Sequence, residues 1–132
     1  MSIQRITPVL LVREVEPCVA FWVDILGFKK IAEVPDGNRL GFVILERDGL
    51  EIMYQSFRSA EKDAPEAARE INGGRTFLYI EVDRLESIRE ATTAADVVIP
   101  LRDTAYGAKE IGVKDPAGHV IVFAEMTAQP QS

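Results

Sequence analysis

Residues 7–16, Thr7-Pro8-Val9-Leu10-Leu11-Val12-Arg13-Glu14-Val15-Glu16, lie without a gap over residues 77–86, Phe77-Leu78-Tyr79-Ile80-Glu81-Val82-Asp83-Arg84-Leu85-Glu86. Each stretch reads as an apolar strand, an acidic turn and the start of a helix. The correspondence continues further along, with Glu51-Ile52-Met53 standing opposite Val122-Phe123-Ala124 as the last strand of each half. A repeat of whole supersecondary units restricts the fold strongly, because each unit is expected to need the other to complete its sheet.

The elements between these anchors have the same order in both halves. Residues 6–12 predict a first strand, and Glu14-Val15-Glu16-Pro17 a helix start, with proline and acidic residues where the first turn favours them. That helix runs to Leu26 and stops at Gly27. Strands follow over residues 28–34, 40–47 and 50–55, separated by the turns Pro35-Asp36-Gly37-Asn38 and Asp48-Gly49. Residues 59–70 are polar, alanine-rich and predicted to be one short helix, ended by Gly73-Gly74. The plan then restarts: strand 77–82, helix 85–94, and strands 97–101, 109–114 and 120–124, the last pair joined by Asp115-Pro116-Ala117-Gly118. The expected organisation is one α+β domain over residues 1–132, with module one at 5–56, a linker at 57–75, module two at 76–126 and a tail at 127–132. Each module is βαβββ.

Apolar residues at 47% and charged residues at 27% suit a folded, water-soluble chain. A net charge of −6 repels phosphate backbones, so a nucleic-acid partner is not expected. The apolar runs are strand-sized, which argues against a membrane span. The start Met1-Ser2-Ile3-Gln4-Arg5 lacks the basic-then-apolar plan of a secretory signal, and a cytoplasmic location is expected. A single cysteine, Cys18, allows neither an internal disulfide nor a thiolate zinc site, and no histidine lies near it in sequence to support a nucleophilic role.

The ordered set Thr7-Pro8-Val9-Leu10-Leu11-Val12-Arg13-Glu14, Phe21-Trp22 and Leu26-Gly27-Phe28 resembles the first half of the vicinal oxygen chelate superfamily, the glyoxalase, bleomycin resistance protein and dioxygenase proteins. Tyr106-Gly107, Asp115-Pro116-Ala117-Gly118-His119 and the apolar strand after them look like its C-terminal signature. The resemblance implies two βαβββ modules curled into an open, cup-shaped mixed-sheet barrel with helices outside, a ligand in the cup, and a homodimer. In the metalloenzyme branches, four inward side chains on the first and last strands of each module hold a divalent ion. Carried onto this chain, those positions are Thr7, Glu51, Phe77 and Val122.

That set lacks the chemistry for a metal. A divalent site needs several imidazole or carboxylate donors at one point, whereas Thr7 is a weak neutral oxygen donor and Phe77 and Val122 offer none. His119, the one histidine, is expected to be a turn or surface residue. No metal or other cofactor is therefore expected, and the pattern resembles the non-metal, bleomycin-resistance-like branch.

Steps of two along each strand give the cup-facing side chains: Thr7, Val9 and Leu11; Glu51, Met53 and Gln55; Phe77, Tyr79 and Glu81; Val120 or Val122, with Ala124; and, by family register, Glu110 and Gly112. Their alternates Pro8, Leu10, Val12, Ile52, Leu78, Ile80, Val82, Ile121 and Phe123 should pack under the helices. Thr7, Val9, Glu51, Met53, Phe77, Tyr79, Glu110 and Val122 are the candidate ligand-binding residues, and Glu51 the candidate catalytic acid or base. Glu51 equally reads as a structural carboxylate bonded to Thr7 or Tyr79, or as one reaching solvent. Trp22 reads as helix-to-sheet packing or dimer surface, Tyr106-Gly107 as a pocket rim or a turn, and Met53 as core filler or an adaptable pocket wall.

The leading expectation is a metal-independent protein that binds an apolar, aromatic or cationic small molecule, antibiotic sequestration being one form. The alternative is a lyase, isomerase or dioxygenase-type enzyme using Glu51 as acid or base or within an unrecognised metal site. A third is a structural module whose cup is filled by its own side chains.

Overall fold

A computed structural model of the chain describes residues 1–71, 73–92 and 96–127. The chain divides into two compact units, one ending at Gly74 and the other starting at Arg75. The first contains β1 (Val9–Val12), α1 (Glu16–Ala20) with a π-helical turn after it (Phe21–Ile25), β2 (Lys29–Asp36), β3 (Arg39–Arg47), β4 (Leu50–Ser56), α2 (Phe57–Asp63) and α3 (Pro65–Ile71). The second contains β5 (Phe77–Glu81), α4 (Leu85–Ala91), β6 (Asp96–Asp103), β7 (Ala108–Lys114) and β8 (Val120–Met126). Sheet orders are β1-β4-β3-β2 and β5-β8-β7-β6, with the first pair parallel and the others antiparallel in both. The fold is thus α+β, built of two βαβββ modules with the same strand order.

The first strand starts at Val9 rather than residue 6, and the first helix at Glu16 rather than residue 14. The linker forms two helices instead of one. Pro65 has no N–H to donate and disfavours a helical residue before it, and Ala64 accordingly leaves the helix at φ −146°, ψ 73°. Ser56 caps the first of the pair, its hydroxyl accepting from the Ser59 N–H at 3.1 Å. The expected extension of α4 to Ala94 and the tail beyond Thr127 lie outside the described residues. No helix among the described residues is long and apolar enough to cross a membrane.

Strand alternation separates two faces in each sheet. In the first unit Leu10, Val12, Val43, Leu45, Ile52 and Tyr54 are buried on the α1 side, where Trp22 donates from Nε1 to the Tyr54 hydroxyl at 2.7 Å. Trp22 also meets Phe28 edge-on at 4.8 Å between ring centres, which places it in helix-to-sheet packing. In the second unit Ile111, Val113, Ile121 and Phe123 are buried on the side of α4, whose Leu85 N–H donates to Glu125. Leu78, Ile80 and Val82 on that side are half-buried, as is Pro8 in the first unit.

The opposite face of the first sheet is partly covered by the linker. Leu11, expected to line the cup openly, is buried against Ala60, Ala68 and the ring of Phe57. Small alanines on both linker helices let them approach the sheet closely, so this end of the face is closed by apolar packing.

Candidate functional site

Glu51, the second residue of β4, lies across from Glu46 on β3. Two carboxylates facing each other across a strand pair repel, and each has a partner that relieves this. Glu46 Oε1 accepts from the Gly49 N–H of the hairpin turn at 2.8 Å, and Glu51 forms an ion pair with Arg5. Within its own unit the hydrogen-bonding partner of Glu51 is therefore Arg5 rather than Thr7. Val9 and Met53 are register partners beside it, and Ile44 is the partner of Met53 on β3. Val9 is exposed, Met53 and Thr7 half-buried.

Further along the same face an open groove of about 490 Å³ lies between the β2–β3 hairpin and α2. Val34, Pro35 and Phe42 form its apolar wall, and Gln55, Ser59 and Lys62 its polar one. Gln55 donates to the Ser59 hydroxyl at 3.1 Å, and Lys62 donates to Asp36 at 2.6 Å. The Lys62 ammonium holds the Asp36 carboxyl below its usual range, outweighing the opposite push of desolvation. The volume falls in the range of small-molecule sites.

The second unit holds a denser constellation. Glu110 on β7 is 1% exposed and accepts from both sides. Tyr79 on β5 donates to its Oε2 at 2.6 Å, Tyr106 donates to the same oxygen, and Arg102 on β6 donates to Oε1 from Nε at 3.2 Å and from Nη2 at 3.0 Å. Burial pushes the Glu110 carboxyl up, but the hydrogen bonds from Tyr106, Tyr79 and Arg102, with the Arg102 charge, outweigh it and hold the group below the ordinary range. Burial, then the bonds to Glu110 and Tyr106, push the Tyr79 hydroxyl well above its ordinary value. The Tyr79 proton stays in place and points at the carboxylate.

Local structure explains how these side chains meet. In the ladder of β6 on β7, Ile99 pairs with Gly112 and Arg102 with Glu110, so three steps on one strand match two on the other. The extra residue falls at Pro100-Leu101 on an edge strand, where proline is tolerated. Without that bulge Leu101 would oppose Glu110; with it, Arg102 does. Gly112 has no side chain, and a Cβ there would stand 2.9 Å from the Ile99 Cβ. Tyr106 sits in the turn after Thr104, where Gly107 takes φ +86° and the Ala108 N–H donates to the Thr104 hydroxyl at 3.0 Å.

Of the candidate residues in this unit, Tyr79 and Glu110 are therefore in contact, Phe77 is exposed two positions before Tyr79 on the same face, and Val122 pairs with Tyr79 and Gly112 but is fully buried. Arg5 and Arg102 were not among the candidates. The one sequence sign of Arg102 was a proline inside a predicted strand.

His119 is buried rather than a surface residue. Its Nδ1 accepts from the Thr76 N–H at 2.8 Å, and its backbone N–H donates to Asp115 Oδ1 at 2.8 Å, joining the last turn to the entrance of β5. His119→Ala should cost about 1–3 kcal/mol by leaving the Thr76 N–H without its acceptor. His119→Asn, which offers an oxygen near the Nδ1 position, should recover part of that in urea unfolding, and equal midpoints for the two variants would refute the role.

The positions that the family resemblance marks for a metal carry few donors in either unit. The first unit brings the Thr7 hydroxyl and a carboxylate already paired with Arg5, and the second brings Phe77 and Val122. Among the described residues no three His, Cys, Asp or Glu side chains are grouped to hold an ion.

Solved structures share this fold. TioX from Micromonospora sp. ML1 is 18% identical at a TM-score of 0.74, covering 93% of this chain and 98% of its own. The bleomycin-binding protein of Streptomyces verticillus, complexed with copper(II)-bleomycin, is 24% identical at a TM-score of 0.65, covering 98% of this chain and 99% of its own. A lactoylglutathione lyase from Agrobacterium tumefaciens is 15% identical at a TM-score of 0.74, covering 94% of this chain and 95% of its own. No curated protein matches the chain significantly. A family model matches residues 2–123, and the chain belongs to the glyoxalase/bleomycin resistance protein/dioxygenase superfamily.

Proposed function

We propose that this chain is a metal-independent small-molecule-binding protein of the glyoxalase/bleomycin-resistance type, acting by sequestration. The observation that carries the reading is the make-up of the sheet faces turned away from α1 and α4. They leave Val9, Phe77 and Tyr79 exposed and place one buried carboxylate, Glu110, among hydrogen-bond donors. Apolar and aromatic surface with a few fixed polar groups is the composition of a ligand site. The donor-poor metal positions support metal independence, and the Streptomyces verticillus protein shows that this fold accommodates an antibiotic.

The ligand is apolar or aromatic, or cationic, and its candidate contacts are Thr7, Val9, Glu51 and Met53 in the first unit and Phe77, Tyr79, Glu110 and Val122 in the second. The working form is a cytoplasmic homodimer. Exposed apolar side chains on the edge strands, Ile31 and Val34 on β2 and Val97, Val98 and Leu101 on β6, support a second copy as the partner.

The test begins with elemental analysis of protein purified without added metal or chelator. Metal well below stoichiometric, with saturable binding of an aromatic or cationic compound by the metal-free protein, is the expected result. Near-stoichiometric nickel, zinc, iron or manganese would overturn it in favour of the enzyme reading, in which Glu51 takes part in catalysis.

A further inference from the structure

We infer that the Glu110 cluster is a recognition site for a planar, uncharged group carrying a donor and an acceptor side by side, such as a carboxamide, urea or lactam, on an aromatic body. The inference rests on the small-molecule-binding reading and gives it a ligand class.

Hydrogen-bond capacity decides the chemistry. Each tyrosine has one hydroxyl proton directed at Glu110 Oε2, and the Tyr79 hydroxyl makes a second, longer contact with the Tyr106 oxygen. What Tyr79 and Tyr106 still offer a ligand is oxygen lone pairs, on two oxygens 3.5 Å apart, close enough for one NH₂ group to address both. Arg102 commits Nε–H and one Nη2 N–H to Glu110 Oε1, which leaves its remaining N–H groups, on a side chain 54% exposed, as donors. Acceptors and donors thus converge on one carboxylate.

Charge decides what is rejected. The guanidinium cancels the carboxylate, so the cluster has no net charge to attract an ion. A ligand carboxylate facing the tyrosines would meet oxygen lone pairs above a buried anion, and an amidinium or ammonium would stand beside Arg102. A neutral amide satisfies both sides without a like-charge contact. Phe77 at 63% and Tyr106 at 62% exposure supply ring faces for an aromatic body next to the polar group.

The test is an NMR titration of the full-length, metal-free protein with benzamide, benzoate and benzamidinium, which share a ring and differ in the donor and acceptor they carry. Benzamide should bind saturably, shift the amides of Tyr79, Glu110 and Gly112, and bind about fivefold or more tightly than either ion. Tyr79→Phe and Tyr106→Phe keep the rings, and each should reduce benzamide affinity about fivefold while leaving benzoate affinity unchanged. That change in selectivity is one that a purely structural role would not produce.

Equal binding of the three compounds, or unaltered benzamide binding by both variants, overturns the inference. So does benzamide binding whose shifts are confined to the first unit, although that outcome leaves the small-molecule reading intact. If benzamide fails while other aromatic compounds in a diverse screen bind, the inference alone is lost. If nothing binds, both fall.

Discussion

Replacing Trp22 with alanine should remove about 3–5 kcal/mol of stability, enough to leave the chain largely unfolded in moderate denaturant. The indole is 1% exposed and packs edge-on against Phe28 and Phe21, with ring centres 4.8 and 6.0 Å away. Truncation leaves a cavity under the sheet and also strips the Tyr54 hydroxyl of its indole donor at 2.7 Å. Tyr54→Phe separates the two contributions. It keeps the ring, leaves the indole N–H unpaired, and should cost about 1–3 kcal/mol. Trp22 is the single tryptophan, so unfolding of the variant has to be followed by circular dichroism rather than indole fluorescence. A loss for Trp22→Ala below that of Tyr54→Phe would mean the ring is not the packing element described.

Arg102→Ala should cost about 1.5–3 kcal/mol at neutral pH, the range for hydrogen bonds to a charged group. The full penalty of a broken buried ion pair is not expected, because Arg102 itself is half exposed and water reaches its side of the pair. The pH dependence is the sharper readout. The folded protein holds the Glu110 carboxyl below its ordinary value of 4.5, so this group contributes stability above that value and the contribution is lost as pH falls through the lower folded value. Without Arg102, burial is opposed by fewer donors and the carboxyl protonates more readily. The gap between wild type and variant should therefore be widest near neutrality and narrow in acid. Urea unfolding at both pH values measures it, and a gap that stays constant would show that Glu110 is not the group Arg102 serves.

The repeat of residues 7–16 at 77–86 determined the two modules, because the same order of apolar period and turn signals produces the same supersecondary unit twice. Alternation along the strands was equally legible. Leu10, Val12, Ile52, Ile121 and Phe123 are buried on the helix side as their positions predict, because a period of two is a local property of extended backbone. Pairing of particular side chains was decided by tertiary structure. The bulge at Pro100-Leu101 moves Arg102 one place, onto Glu110, and no local period records such a slip. Arg5 reaches Glu51 from far along the chain, the linker helices close over Leu11, and His119 is drawn inside by the Thr76 N–H. Apart from the hairpin neighbours Arg102 and Glu110, the partners are distant in sequence, and only the assembled sheets bring the groups within hydrogen-bonding or packing distance.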